Sequence, residues 1–280
     1  MFKSPLRYPG GKQKAIPQIA HYLPPTFKEF REPFVGGGSV FFHVLQKYPS
    51  MPCWVNDLNL ELYYFWHQVK TNLPKLVESV WKVKNQTTDG RALFKSLAVA
   101  DTSTMSPLER GVRFFVLNRI SFSGTIESGG YSSASFKGRF TDSSIERLAA
   151  LNGCFVNTRV SNFDYSTLLT EPGEDVFIFL DPPYLSKTKS KLYGKKGDLH
   201  TCFDHSRFAK LMSECSHKWL ITYDNCEQVR HHFSFAYIYE WELQYGMNNY
   251  KQQKADKGKE LFITNYPVES YNLHPIMEVV

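Results

Sequence analysis

Four consecutive residues, Asp181-Pro182-Pro183-Tyr184, carry the chemistry needed to act on a planar amine. A carboxylate and a backbone carbonyl can accept the two hydrogens of an exocyclic amino group. That draws its nitrogen toward tetrahedral geometry and frees a lone pair otherwise delocalised into the ring, so the nitrogen can accept a methyl group. The neighbouring tyrosine offers a face on which a base can stack. The two prolines make the segment stiff, because each fixes φ near −65°, lacks an N–H and biases the preceding residue toward extended geometry. Asp181, Pro182 (through its carbonyl) and Tyr184 are therefore the catalytic candidates. Asp-Pro-Pro-aromatic also arises as an ordinary turn, so its surroundings must decide.

Those surroundings are the elements that would hold it in place. Val176 to Leu180 is a short, continuous apolar run, the pattern of a buried parallel strand, and it delivers Asp181 to the strand's carboxyl end. Open α/β sheets bind their ligands at such ends. Earlier in the chain, a strand from Glu32 to Val35 runs into Gly36-Gly37-Gly38-Ser39 and then an apolar helix, Val40 to Tyr48. Glycine is required where backbone must approach a ligand closely. A second strand, Cys53 to Asn56, ends at Asp57, 21 positions after Gly36. An acid at that distance, at the end of the next strand, is placed to accept hydrogen bonds from ribose hydroxyls. Strand, glycines, helix, strand and acid together describe a nucleoside-cofactor site.

The chain opens with Leu6-Arg7-Tyr8-Pro9-Gly10-Gly11-Lys12. This is not a phosphate-binding P-loop, because Gln13 follows the lysine and no strand precedes it. It reads as a loop presenting an aromatic and a cation, leading into a helix from Gln13 to Tyr22. From 60 to 151 the alternation of strands and helices gives way to helices and loops. Ser106-Pro107-Leu108-Glu109 is a capping box with proline at the first helical position. The stretch from Arg119 to Phe140 is polar and dotted with glycine. It is expected to be a long surface loop without a core, with Gly129-Gly130 at the tip of a reaching hairpin. Asp142-Ser143-Ser144 caps a helix from Ile145 to Leu151. The sheet resumes with a strand from Cys154 to Val160 that ends at Asn162-Phe163-Asp164. After the ledge come a helix, Phe203 to Ser216, and a strand, Trp219 to Tyr223. Ala236 to Tyr245 and Glu260 to Asn265 read as a closing hairpin around a basic loop.

Composition limits the alternatives. With 42% hydrophobic residues in 280, there is material for a substantial core, yet no stretch approaches the ~20 apolar residues of a membrane span. Met1 to Lys14 has no apolar core of a secretory signal. The five cysteines, Cys53, Cys154, Cys202, Cys215 and Cys226, form no Cys-x-x-Cys pair, which fits free thiols in a reducing cytoplasm and no metal site. The net charge of +6 is uninformative alone; its distribution is not. Lys187, Lys189, Lys191, Lys195 and Lys196 follow the ledge, and Lys251, Lys254, Lys257 and Lys259 form a second cluster. Basic loops beside a catalytic ledge suit a polyanionic substrate.

In the order and spacing of four motifs the chain resembles the Dam-type, D12 class, α group of adenine-specific N6 DNA methyltransferases. Tyr8-Pro9-Gly10-Gly11-Lys12 is similar to that family's amino-terminal cofactor motif and Phe34-Val35-Gly36-Gly37-Gly38-Ser39-Val40-Phe41 to its glycine motif. Asp57 matches its ribose-binding acid and Asp181-Pro182-Pro183-Tyr184 its catalytic signature. The resemblance implies a Rossmann-like α/β methyltransferase sheet and S-adenosylmethionine as methyl donor. It divides the chain into a catalytic domain, 1–59 and 152–280, and an inserted, mostly helical target-recognition region, 60–151. It also implies that Tyr8, Lys12, Phe34, Gly36, Gly38, Asp57 and Asp181 lie at the cofactor, with Phe163 and Asp164 where the family contacts the cofactor's adenine. Asp181 and Tyr184 would in addition face a flipped target adenine. Family members that methylate GATC carry an Arg-Tyr-Asn turn and then Asn-Val-Pro-Phe-Gly. Here Asn118 to Gly124 begins similarly, but the sequence through Phe140 lacks the second motif, which leaves the recognised sequence open.

The expected DNA contacts are Arg119, Ser121, Tyr131, Lys137 and Arg139 from the recognition stretch, with Lys187, Lys189 and Lys191 from the loop after the ledge. The expected partner is double-stranded DNA, with any restriction endonuclease a separate protein. The enzyme is expected to be monomeric and to work at the nucleoid in the cytoplasm. Two other functions fit parts of the pattern: an amide methyltransferase acting on protein glutamine, whose ledge ordinarily begins with Asn, and a non-catalytic DNA-binding module on the same fold.

Overall fold

The computed structural model describes residues 3–8, 10–126, 128–185, 202–243 and 258–268. Seven strands form one sheet in the order β3-β2-β1-β4-β5-β7-β6: β1 Glu29–Glu32, β2 Cys53–Asn56, β3 Thr158–Ser161, β4 Val176–Leu180, β5 Lys218–Asp224, β6 Tyr237–Leu243 and β7 Gly258–Thr264. β1 to β5 are parallel, and β7 joins antiparallel to β5 and β6. Strand order reverses between β1 and β4, so the crevice that binds ligands in such sheets opens beyond their carboxyl ends.

β4 shows why its sequence is apolar without alternation. Phe177 and Phe179 enter the core on one face of the sheet, whereas Val176, Ile178 and Leu180 enter the core on the other. Both faces are covered, so no position on the strand is polar. Each of these side chains contributes about 1.5–3 kcal/mol by leaving water. The first face carries α1 Ile16–Tyr22 and α2 Ser39–Lys47 and is continuous with the inserted helices α3 Leu60–Thr71, α4 Leu73–Gln86, α5 Gly90–Val99, α6 Pro107–Ile120, α7 Ser133–Arg139 and α8 Asp142–Ala149. Phe42, Trp66 and Phe155 join sheet-side and inserted elements in one aromatic cluster. The second face carries α9 Tyr165–Thr170, α10 His205–Glu214 and α11 Glu227–His232.

Three expectations are corrected. The first strand is Glu29–Glu32 rather than Glu32 to Val35. Pro33 cannot extend the ladder, and the strand was hidden because Arg31, 1% exposed, lies in the sheet interior. Its guanidinium is satisfied by the carbonyls of Leu168, Glu171 and Pro172 and by Glu29. The third strand is Thr158–Ser161; the residues before it form turns, and Phe155 packs into the core instead of pairing. The stretch from Arg119 to Phe140 is not a coreless loop. It contains α7, and Arg119, Ser121, Ser135 and Phe140 are all buried. Among the described residues, a small bridge between Ser121 and Tyr131 stands where the hairpin was expected.

The capping box at Ser106 and Glu109 is present with both reciprocal hydrogen bonds. The closing hairpin of β6 and β7 forms as expected. Among the described residues, no helix is long and apolar enough to cross a membrane, and no cluster of metal-ligating side chains occurs. Lys187, Lys189, Lys191, Lys195, Lys196, Lys251, Lys254 and Lys257 lie outside the described residues.

Candidate active site

The site is assembled at the carboxyl ends of β1, β2 and β4. Asp181 leaves β4 with each carboxylate oxygen engaged: Oδ2 accepts from Lys12 Nζ at 2.7 Å, and Oδ1 from Thr222 Oγ1 at 2.7 Å. Lys12 is 5% exposed, also donates to the carbonyl of Gly10, and lies 5.1 Å from the centroid of the Tyr184 ring. Pro182 is buried beside them. Tyr184 is buried too, its hydroxyl donating to Glu260 Oε2 at 2.8 Å. The next amide, Leu185 N–H, donates to Asp224 Oδ1 at 3.0 Å. The expected cofactor lysine and the catalytic aspartate are thus in direct contact.

The glycine loop and the amino-terminal loop are shaped to each other. Gly36 has φ +46°, and a Cβ there would lie 2.9 Å from the Tyr8 ring; a Cβ on Gly37 would lie 2.9 Å from the Tyr8 Cβ. Tyr8 therefore rests directly on the glycine backbone. Asp57 Oδ2 accepts from the Gly36 amide at 3.0 Å and Oδ1 from the Asn59 amide at 2.9 Å. Burial pushes the Asp57 carboxyl up to about 6 against the opposing effect of those amides. Asn56, 1% exposed, ties three strand ends together through Pro33, Ser161 and Phe163. Phe163 is 43% exposed, as a stacking face for a nucleobase requires. Asp164 caps α9 and pairs with Arg207, which together with Ser166 holds its carboxyl below the usual range although burial acts the other way. Phe34 packs among Tyr165, Phe203 and Phe208.

Glu32 was not foreseen. It is 3% exposed, and among the described residues its Oε2 has no hydrogen-bond partner. Burial raises its carboxyl well above the ordinary value; the Phe41 amide offsets part of this, and Asp181 and Asp57 raise it further. Three carboxyl groups, those of Glu32, Asp57 and Asp181, therefore lie near one another at these strand ends. The donor set fits S-adenosylmethionine, which carries positive sulfur and ammonium groups. An acid directly before Pro-Phe-Val-Gly is the available signal, but a strand read three residues too late counts Glu32 as its first residue. Thr222, Asp224 and Glu260 were invisible for a different reason: the pairing of β4 with β5 brings the first two to the ledge, and the pairing of β5 with β7 brings Glu260.

The expected DNA residues are scattered. Lys137 and Arg139 are exposed on α7, and Tyr131 is half-buried with Arg91 over its ring at 5.2 Å. Arg119 is 3% exposed at the end of α6, packed 5.3 Å from the Phe115 ring centroid, and Ser121 is fully buried with its hydroxyl accepting from the Ile126 amide. Neither stands on a projecting loop: α6 is buried all round from Gly111 to Ile120, and Ser121 caps it. Among the described residues, Arg119 Nε and Nη2 have no hydrogen-bond partner. Burial, then the charges of Arg147, Arg7 and Arg139, lower its proton affinity. Arg7 went unremarked in the sequence. Its backbone is clamped by Asn118, whose Oδ1 accepts the Arg7 amide at 3.0 Å and whose Nδ2 donates to the Arg7 carbonyl at 2.7 Å. The cofactor loop is thereby stitched to the inserted helices.

A sheet of this order, with a glycine loop after its first strand, an acid after its second and an amine-accepting ledge after its fourth, defines a nucleoside-cofactor-dependent transferase acting on an amino group. Comparison with known proteins narrows the class. The family model for D12 class N6 adenine-specific DNA methyltransferases matches residues 8–247, and the chain belongs to that family. It is 27% identical to the type II methyltransferase M.MjaIII of Methanocaldococcus jannaschii, over 73% of this chain and 77% of that one. It is 24% identical to the type II methyltransferase M1.LlaDCHI of Lactococcus lactis subsp. cremoris, over 72% and 70%. With the type II methyltransferase M.CviBI of Paramecium bursaria Chlorella virus NC1A, identity is 22% over 95% and 98%. The protein is an adenine-specific N6 DNA methyltransferase and uses S-adenosylmethionine as methyl donor.

Proposed function

We propose that this enzyme methylates one adenine within a defined sequence of duplex DNA, taking that base out of the helix to do so. The reading rests on Asp181, held by Lys12 and Thr222 at the head of a proline ledge. A base within the stack cannot reach such a recess, and flipping costs a few kcal/mol. Stacking on Tyr184 returns about 1–3 kcal/mol, and a hydrogen bond to the charged Asp181 roughly 1.5–3 kcal/mol. Asp181 and the Pro182 carbonyl accept the two N6 hydrogens, which localises the nitrogen lone pair. S-adenosylmethionine, when bound, supplies a methyl group on positively charged sulfur. Glu32 and Asp57 hold that cofactor's cationic and ribose groups, Phe163 its adenine, and Phe34, Gly36, Gly38 and Asp164 shape its pocket. Tyr8 and Lys12 close over it.

Exposed Arg139 and Lys137, with Tyr131 and Arg7, form the proposed DNA-facing side of the inserted helices. Among the described residues, no carboxylate is within ion-pair distance of Arg7, Arg119, Arg139 or Arg147, so their charge is available to a polyanion. Arg119 acts from beneath this group, and Ser121 shapes the turn above it. Lys187, Lys189 and Lys191 add contacts to the DNA backbone. Several relatives are named type II methyltransferases, which fits a separate restriction endonuclease as cognate partner. The enzyme itself acts as a monomer where the DNA is. Incubation with labelled S-adenosylmethionine and duplex DNA, followed by mapping of methylated adenines, tests this. Label at scattered, unrelated adenines would overturn site specificity.

A further inference from the structure

Tyrosine used only as a stacking platform has no need of its hydroxyl, yet the Tyr184 hydroxyl is anchored in the protein interior. It donates to Glu260 Oε2 at 2.8 Å, and Glu260 is 2% exposed on β7. Keeping a carboxylate so deeply buried is costly unless its partner matters. The partner strand repeats the arrangement. Asp224 of β5 lies directly opposite Glu260 in the antiparallel register, is 7% exposed, and takes the amide of Leu185. Thr222, two positions earlier and so on the same face of β5, holds Asp181. One antiparallel strand pair therefore grips the ledge at Asp181, at the Tyr184 side chain and at the backbone that follows it.

We propose that Glu260 is a positioning residue of methyl transfer, fixing the position of the Tyr184 ring against which the target adenine stacks. The inference rests on the proposed role of Tyr184 as that platform. Glu260 touches neither base nor cofactor; it acts through the tyrosine hydroxyl. The ring also meets Lys12 Nζ at 5.1 Å and the Tyr223 ring at 6.0 Å; the bond to Glu260 anchors its hydroxyl end, and a misplaced reacting nitrogen loses rate steeply.

The test is a double-substitution cycle on the full-length enzyme. E260Q keeps an acceptor of the same shape and removes the charge-assisted hydrogen bond; Y184F removes the hydroxyl. In the Tyr184 background, E260Q is expected to lower single-turnover methylation about three- to tenfold with duplex affinity unchanged. It should also change the fluorescence of 2-aminopurine placed at the target adenine. In the Y184F background, the same substitution is expected to change either signal less than about twofold. An equal loss in both backgrounds overturns the proposal, as does a normal rate and fluorescence for E260Q alone. Y184A separates the premise: normal methylation and fluorescence there would remove Tyr184 as the platform, whatever Glu260 does.

Discussion

Lys12 and Asp181 are 169 positions apart and meet in an ion pair of 2.7 Å, with both side chains largely out of solvent. The pair joins the loop proposed to close over the cofactor to the residue proposed to receive the target amine. Cofactor closure and ledge geometry are therefore parts of one arrangement.

Removing either partner should separate binding from chemistry. Asp181→Ala is expected to reduce methyl transfer by several orders of magnitude while duplex binding persists. Lys12→Ala leaves Asp181 without its cation, and a loss of roughly 2–3 kcal/mol, about a hundredfold in kcat/KM, is expected. Single-turnover rates beside filter-binding affinities check both, and near-normal turnover of D181A would falsify its proposed role.

Asp57 carries a pH signature in two opposite directions. Its carboxyl is raised by burial from 3.8 to about 6. The folded protein therefore holds the proton more tightly than the unfolded chain, and this group's contribution to stability is present below about pH 4 and lost as pH rises through about 6. Cofactor binding runs the other way, because ribose hydroxyls need the carboxylate form. Calorimetric affinity for S-adenosylmethionine should fall as pH drops below about 6, and D57N should flatten that profile while weakening binding by roughly 1.5–3 kcal/mol at pH 8.

Gly36→Ala tests the contact between the two loops. The added Cβ meets the Tyr8 ring at 2.9 Å from a backbone with φ +46°. Strain of about 1–3 kcal/mol is expected, read as a lower Tm and weaker cofactor binding. Y8A in the same chain removes the clash but not the strain, so only part of the Tm should return.

Arg119 predicts a trade between stability and DNA binding. Its buried guanidinium has two nitrogens without partners, so Arg119→Met should stabilise the free enzyme by about 1–3 kcal/mol while weakening its hold on duplex DNA. A variant with lower Tm and unchanged DNA affinity would count against a role in binding.

Arg139 stands exposed on the same side. Arg139→Ala is expected to relax sequence choice at one base pair by about 1–3 kcal/mol. Lysines 187, 189 and 191 should instead weaken all sites alike and lower the salt dependence of binding. Site mapping for each variant distinguishes the two outcomes.

What sequence alone determined is local. Val176 to Leu180 must be a buried strand because no polar atom interrupts it, and two prolines must end it at Asp181. Gly36 and Asp57 declare a cofactor crevice through spacing that any chain of this kind must keep, because one strand rise and one helix separate the two groups. Where burial contradicts residue type, the sequence is silent. Arg31 and Glu32 sit in a central strand, and Arg119 and Ser121 lie beneath the surface they were expected to form. Arg31 is met by carbonyls of a distant segment, whereas Arg119 and Ser121 meet the Phe115 ring and the Ile126 amide close by, and a polar residue's letters do not say whether such partners exist. The convergence of Glu32, Asp57 and Asp181, and the grip of Thr222, Asp224 and Glu260 on the ledge, depend on strand order and on the antiparallel register of β5 with β7. Only tertiary pairing decides these, because hydrogen bonds between strands place side chains side by side whatever their separation along the chain.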